Sequence, residues 1–240
     1  LRMLSAETLN SLYQNGAYLE SNPHWHVEDS PWKAAQILRA LEQTGLTPRT
    51  VAEIGCGAGE ILRQLQLRLP GSRFTGYELS PDAYKLCLTR RQHNLEFRNE
   101  DPLTEGNREY VDLLLVIDVV EHVEDCFTFL KKCRPKAAHT VFHLPLDLSV
   151  QTLLRPQALL EERRRVGHIH YFTKETALAC ISEAGYRVIH SFHTCKPMDE
   201  PHRQLYKKLI NGSRKLLHYV SPDAAARWLG GFSLMVVAEG

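Results

Sequence analysis

The spacing of apolar positions changes character at about residue 50. Beyond that point, short apolar runs at 51–54, 73–79, 95–98, 111–119 and 140–144 alternate with stretches of helical period. A parallel sheet with crossover helices requires this alternation. The helices carry start signals. Ser80-Pro81 sets a capping hydroxyl before a proline at the first helical position, and Ser30-Pro31 does the same for a helix running to about residue 42. Thr173 opens a further helix over 174–184, and Gly185 closes it in the left-handed cap position. Residues 186–193 and 232–238 read as two last strands on either side of a helical stretch at 201–219. The prediction is an α/β fold with seven strands, five alternating with helices and two closing the chain.

Two segments stand outside the alternation. Residues 1–45 form a helical N-terminal extension that contains Asn22-Pro23-His24-Trp25-His26, ahead of a main domain at 46–240. An amphipathic, arginine-rich insert occupies about 147–170, with Arg163, Arg164 and Arg165 in a run. Ligands of open α/β sheets bind beyond the carboxyl ends of the strands, so both segments are expected as lids. His24, Trp25, His26 and Trp32 offer flat apolar faces with polar tips for that purpose.

Composition narrows the partners. The chain has 240 residues, 43% of them hydrophobic, and 29 basic against 28 acidic side chains, a net charge of +1. Such a balance provides no global basic field, and nucleic acid is not expected as a partner. The six cysteines lack a C-x-x-C pair or zinc spacing and read as reduced, buried thiols of a cytoplasmic protein. No apolar run approaches the length of a membrane span, so a membrane partner is not expected either.

Candidate chemistry begins at Glu53-Ile54-Gly55-Cys56-Gly57-Ala58-Gly59. A strand, a glycine turn and a helix bring backbone N–H groups and a positive helix end close to a nucleotide-like ligand. Glu60 stands where a dinucleotide fingerprint needs its third glycine, and no G-K-[ST] is present after the turn, which removes the dinucleotide and P-loop readings.

This turn resembles the first motif of class I S-adenosylmethionine-dependent methyltransferases, an acidic residue, any residue, then G-x-G-x-G. The resemblance implies a Rossmann-like, seven-stranded, mostly parallel sheet of order 3-2-1-4-5-7-6, the last strand antiparallel, with helices on both faces. It implies S-adenosylmethionine as cofactor. Gly55, Cys56, Gly57 and Gly59 would pass its methionine half, Glu53 would orient its amino end, and Glu78 would take the ribose hydroxyls beside Leu79. Asp101 and Pro102 would lie at the adenine, and Asp118 beside the methionine end.

The acceptor is read from the segments after the fourth and fifth strands. Methyltransferases acting on base amino groups carry an Asn/Asp-Pro-Pro-aromatic turn after the fourth strand; here Asp118-Val119-Val120-Glu121-His122-Val123 resembles the E-x-x-E-H-V run of ubiquinone-pathway O-methyltransferases. Gly167 to Thr173 resembles the H-x-x-x-F-[ST] segment of the same group. The reading is therefore methylation of a small-molecule hydroxyl on a secondary metabolite, sugar or quinone-like precursor. His122 or His168 would be the general base, and His143 and His170 lesser candidates. RNA or protein acceptors, or a non-catalytic partner subunit, are the alternatives, and a homodimer is compatible with the sequence. No metal is expected. Small-RNA 2′-O-methyltransferases hold a divalent ion with E-x-x-E-H and a distant histidine, which here would correspond to Asp118, Glu121, His122 and His168. This chain departs from them at Asp118 and at His143-Leu144-Pro145.

Overall fold

The computed structural model describes residue 25, residues 27–196 and residues 205–240. The segments 1–24 and 197–204 and residue 26, with His24, His26 and most of the N-terminal extension, lie outside the described residues. The strands β1 (Thr50–Ile54), β2 (Arg73–Tyr77), β3 (Leu95–Arg98), β4 (Val111–Ile117), β5 (Ala137–Leu146), β6 (Arg187–Thr194) and β7 (Phe232–Glu239) form one sheet. Their order is β3-β2-β1-β4-β5-β7-β6. β1 to β5 pair in parallel, and β7 runs antiparallel between β5 and β6. The sheet order and the antiparallel last strand agree with the sequence-based expectation.

β4 shows how the pattern builds the layers. Successive strand side chains point to opposite faces. Leu113, Leu115 and Ile117 enter a core with Ala34, Ile37 and Leu41 of α1 (Ser30–Thr44) and Ile61, Leu62 and Leu65 of α2 (Glu60–Arg68). Cys87 of α3 (Pro81–Leu88) joins that core. Leu114 and Val116 enter the opposite core with Leu130 and Cys133 of α4 (Cys126–Cys133). Each fully buried leucine stabilises the fold by roughly 1.5–3 kcal/mol relative to an exposed one.

The insert folds into two helices, α5 (Val150–Leu153) and α6 (Pro156–Arg165). α7 (Lys174–Glu183) begins at Thr173, whose hydroxyl accepts from Thr176 N in a capping box, and Gly185 comes after it at φ +97 as expected. α8 (Leu205–Val220) accounts for the described part of the expected helical stretch, and α9 (Pro222–Leu229) is an element the pattern did not predict. Ser80 caps α3 as expected, accepting from Ala83 N. Ser30 does not cap α1: it is the first helical residue and buried, Asp29 holds the cap position without a side-chain capping bond, and Pro31 sits in the first turn. All six cysteines are buried, in keeping with the sequence. Among the described residues no helix is long and apolar enough to cross a membrane.

Candidate active site

The chain turns from β1 outward to β2 and β3 on one side and inward to β4 and β5 on the other, so the carboxyl ends of β1 and β4 border a crevice. A cavity of about 920 Å³ fills it. Its lining includes the sequence-predicted Glu53, Gly55, Cys56, Gly57, Glu78, Leu79, Asp101, Pro102, Asp118, His122 and His168.

The glycine turn is folded back on β2, because Gly55 N and Cys56 N both donate to Tyr77 O, at 2.9 and 3.1 Å. Gly59 sits at φ +76, and a Cβ there would come within 2.4 Å of the Phe97 ring, so this position admits only glycine. α2 begins immediately after it, with its N–H groups beside the crevice. Glu60 also lines the cavity and is held in ion pairs with Arg63 at 2.6 Å and Arg90 at 2.8 Å.

Glu78 ties turn and strand together: Gly57 N donates to its Oε2 at 2.8 Å and Ser80 N to its Oε1 at 2.7 Å. Each carboxylate oxygen keeps a second lone pair for a hydroxyl. Burial pushes the Glu78 carboxyl up, and the Ser80 and Gly57 N–H groups pull it back. At the outer edge, Asp101 lines the cavity, is exposed, and accepts from Leu103 N at 2.9 Å through Oδ1.

Glu53 is buried with part of its carboxyl group unsatisfied. It is 1% exposed, and its Oε2 has no hydrogen-bond partner. Burial pushes its carboxyl up to about 8, with Lys33 opposing the shift and Glu78 and Asp118 adding to it. A buried carboxylate of this kind costs free energy until a donor or cation reaches it. The α-ammonium group of a methionine-type cofactor is such a partner, so the residues present fit the cofactor implied by the glycine turn.

Asp118 ends β4 in a left-handed conformation, φ +53. Its carboxylate is gripped on both sides, by Lys33 Nζ at 2.6 Å and His143 Nδ1 at 2.6 Å. Burial pushes this carboxyl up, yet His143 and Lys33 outweigh burial and hold it well below the usual range. His143 also reaches Thr194 Oγ1 at 2.9 Å through Nε2 and is 2% exposed. Both its ring nitrogens are thus engaged in the framework, and His143 positions Asp118. His170 is equally structural: its Nε2 bonds Val123 O at 2.8 Å.

His122 and His168, 46 residues apart in sequence, meet because the loop after β4 and the segment before α7 are stitched by backbone bonds. Ile169 N and His170 N both donate to Glu121 O, at 2.9 and 3.2 Å. The two rings pack edge to face with centroids 5.0 Å apart. His122 Nδ1 donates to Gly167 O at 3.2 Å, and His168 Nδ1 to Asp147 Oδ2 at 2.8 Å. Both rings therefore direct Nε2 toward Glu121, 3.9 and 4.0 Å from its Oε1. Burial, reinforced by His168, pushes His122 down to about 4, against the pull of the Gly167 carbonyl. Burial also holds the Glu121 carboxyl well above its ordinary range.

Lys33 and Asp147 were not singled out in the sequence. Lys33 had a legible signal, since it lies in the inward stripe of α1 formed by Ser30, Ala34, Ile37, Ala40 and Leu41, where a charge needs a partner. Asp147 directly follows β5, as Asp118 follows β4. Trp25, Arg163 and Arg165 also line the cavity, and the Trp25 ring lies 3.9 Å from where a Gly57 Cβ would be.

Residues 52–142 match the family described as methyltransferase domain. A ubiquinone biosynthesis O-methyltransferase from Nitrosomonas europaea is 26% identical over 125 residues; the match spans 46% of this chain and 51% of that protein, about half its length. The N-methyltransferase NodS from Bradyrhizobium japonicum WM9, solved with S-adenosyl-L-homocysteine, has a similar fold with a TM-score of 0.55 at 20% identity, over 87% of this chain and 85% of that one. The plantazolicin methyltransferase BpumL, solved with a monoazolic desmethyl substrate analogue and S-adenosylhomocysteine, gives 0.62 at 16% identity over 98% and 94%. The glycine turn, the sheet order and the match over residues 52–142 agree on a methyltransferase domain with a Rossmann-like methyltransferase fold.

Proposed function

We propose that this chain transfers the methyl group of S-adenosylmethionine to a hydroxyl of a small molecule such as a secondary metabolite, sugar or quinone-like precursor. The observation that carries this reading is the pair of imidazoles, His122 and His168, facing Glu121 in the same cavity as the glycine turn. An amine acceptor brings its own lone pair, whereas a hydroxyl has to lose a proton, and a site with two imidazoles beside a buried carboxyl group suits the hydroxyl.

The cofactor, when bound, supplies an electrophilic methyl on a sulfonium. The chain's residues do the rest. Gly55, Cys56, Gly57 and Gly59 let the backbone approach the methionine half, Glu53 receives the amino group, Glu78 the ribose hydroxyls beside Leu79, and Asp101 with Pro102 the adenine edge. Asp118, fixed by Lys33 and His143, adds negative potential near the methionine end. Such alignment is the main lever in an in-line displacement. His122 and His168 act on the acceptor hydroxyl, and Trp25 with the insert helix α6 covers the acceptor side.

Incubation with methyl-labelled cofactor and separate pools of hydroxylated metabolites, RNA and protein tests this reading. Label in the metabolite pool, in base-stable ether linkage, supports it. Label in RNA or protein, or none despite measured cofactor binding, sinks it.

A further inference from the structure

Of the run Arg163-Arg164-Arg165 on α6, Arg163 and Arg165 line the cavity, and Arg164 is exposed outside it. Arg163 is half-buried, and among the described residues no carboxylate stands within ion-pair distance of its guanidinium. The acids around the imidazole pair are engaged elsewhere. Asp147 holds His168 at 2.8 Å, Asp118 holds Lys33 and His143 at 2.6 Å each, and burial keeps Glu121 well above the ordinary carboxylate range. Arg163 is also fixed relative to the imidazoles. Its carbonyl accepts from Gly167 N at 3.2 Å, and the Gly167 carbonyl accepts from His122 Nδ1 at 3.2 Å. Its backbone therefore lies one helical turn, ~5.4 Å along the axis, from the residue that orients His122. Val166 and Ile169, both half-buried, add apolar surface to the same lining. A partly desolvated cation on a cavity wall carries a cost that an entering anion relieves. The planar guanidinium fork matches two oxygens of a carboxylate or phosphate, a fit that an ammonium group lacks.

From this geometry we infer that Arg163 is a specificity residue for the acceptor, selecting a hydroxylated small molecule that also carries a carboxylate or phosphate group. This role rests on the hydroxyl-methylating reading above, whose substrate class it narrows. The guanidinium holds the anionic group, Val166 and Ile169 take the apolar part of the acceptor, and the hydroxyl reaches His122 and His168. Holding the acceptor at both ends aligns its oxygen with the cofactor methyl, which is where an in-line displacement gains most. An acceptor without the anion leaves the guanidinium partly desolvated and unpaired, so it binds more weakly. Arg163 takes no part in moving the proton or the methyl group. Its influence falls on acceptor binding and leaves the cofactor half of the cavity unchanged.

The test is calorimetric titration of S-adenosylhomocysteine-loaded protein with two matched pairs, protocatechuate against its methyl ester and a hexose phosphate against the free hexose. Methyl-transfer kinetics with the same compounds accompany it. The anionic member of one pair is expected to bind at least about tenfold more tightly than its neutral partner, and the pair that responds tells carboxylate from phosphate. Arg163→Gln should reduce that preference to within about twofold, and Arg163→Lys should keep part of it, with S-adenosylhomocysteine affinity and thermal unfolding near wild type in both. In turnover the loss should fall on KM more than on kcat. Neutral members that bind as well as the anionic ones, no binding by either anion, or a preference that survives Arg163→Gln in folded protein each overturn the inference. An anion preference lost in Arg163→Gln, but with no methylation of the hydroxyl, upholds the anion subsite and removes the hydroxyl-methylating reading instead. Label transferred to the neutral hydroxyls alone does the reverse.

Discussion

Lys33 on α1 and Asp118 just after β4, separated by 85 positions in sequence, are joined by a 2.6 Å ion pair in the lining of the cavity. Burial lowers the Lys33 pKa, but Asp118 raises it further, so the ammonium is retained. The same charge is the main electrostatic relief for Glu53. One lysine therefore neutralises the floor of the cofactor site and anchors α1 to the sheet. Replacing it by methionine keeps the stem and removes the charge. Lys33→Met is expected to cost about 1–3 kcal/mol at pH 7, since it leaves a partly buried carboxylate with only one of its two partners. Asp118 has a folded pKa below its ordinary 3.8, so its contribution is complete above that pH and declines as pH falls below it. Urea unfolding of wild type and variant at pH 7 and pH 3 should show the gap narrowing at pH 3; an equal gap at both would separate Lys33 from Asp118.

Glu53 gives a pH signature for cofactor binding. Its carboxyl titrates near 8 in the folded chain against 4.5 ordinarily, so below about pH 8 it is largely protonated until an ammonium group arrives. Binding then expels a proton. S-adenosylhomocysteine affinity should rise with pH between 6 and 8 and level off above, and calorimetry in buffers of different ionisation enthalpy should register the released proton. Glu53→Gln should bind more weakly and flatten the profile. Because the folded pKa is raised, Glu53 costs stability as pH rises from about 4.5 through 8, and the glutamine variant without ligand should melt higher than wild type at pH 8.5. A lower melting point there would contradict the assignment.

Gly59 tests the turn. Alanine combines left-handed strain with a methyl 2.4 Å from the Phe97 ring. The expected cost is about 2–4 kcal/mol, with loss of measurable cofactor binding. Adding Phe97→Leu should recover part of the stability but not the left-handed strain. Full recovery in the double variant would show that the ring alone demands glycine.

Asp147 orients His168, and its amide analogue can present a donor where the ring needs an acceptor. Asp147→Asn is therefore expected to favour the tautomer with the proton on Nε2, and to lower kcat for methyl transfer by roughly 10–100-fold while cofactor affinity stays near wild type. Steady-state kinetics beside S-adenosylhomocysteine titration separates the two quantities. A variant with normal kcat would leave His168 without a role in turnover.

The capping box at Thr173 and Thr176 starts α7 just after the His168 segment. Thr173→Ala should lower stability by about 1 kcal/mol, seen by denaturant unfolding, with kcat changed less than twofold. A large loss of kcat would mean that the cap also holds His168.

Local physics made much of this protein legible from its sequence. Runs such as 111–117 are long enough to be strands and too apolar to lie anywhere but inside a sheet; the glycines at 55, 57 and 59 mark the one place where backbone must approach a ligand; and Glu78, Asp101 and Asp118 each follow a strand, where a parallel sheet collects its chemistry. What local spacing does not encode is which side chains from distant segments share one cavity. Asp118 read as a cofactor neighbour, and the fold also makes it the partner of Lys33 and His143. His143 and His170 read like His168, and only the tertiary structure separates His143, with both ring nitrogens bonded to the framework, and His170, with Nε2 on Val123 O, from two rings whose Nε2 atoms face Glu121. That difference arises because the crossover connections bring residues 33, 118, 147 and 168 to the same end of the sheet, and pairing across the crevice depends on angstrom-scale packing that no period in the sequence records.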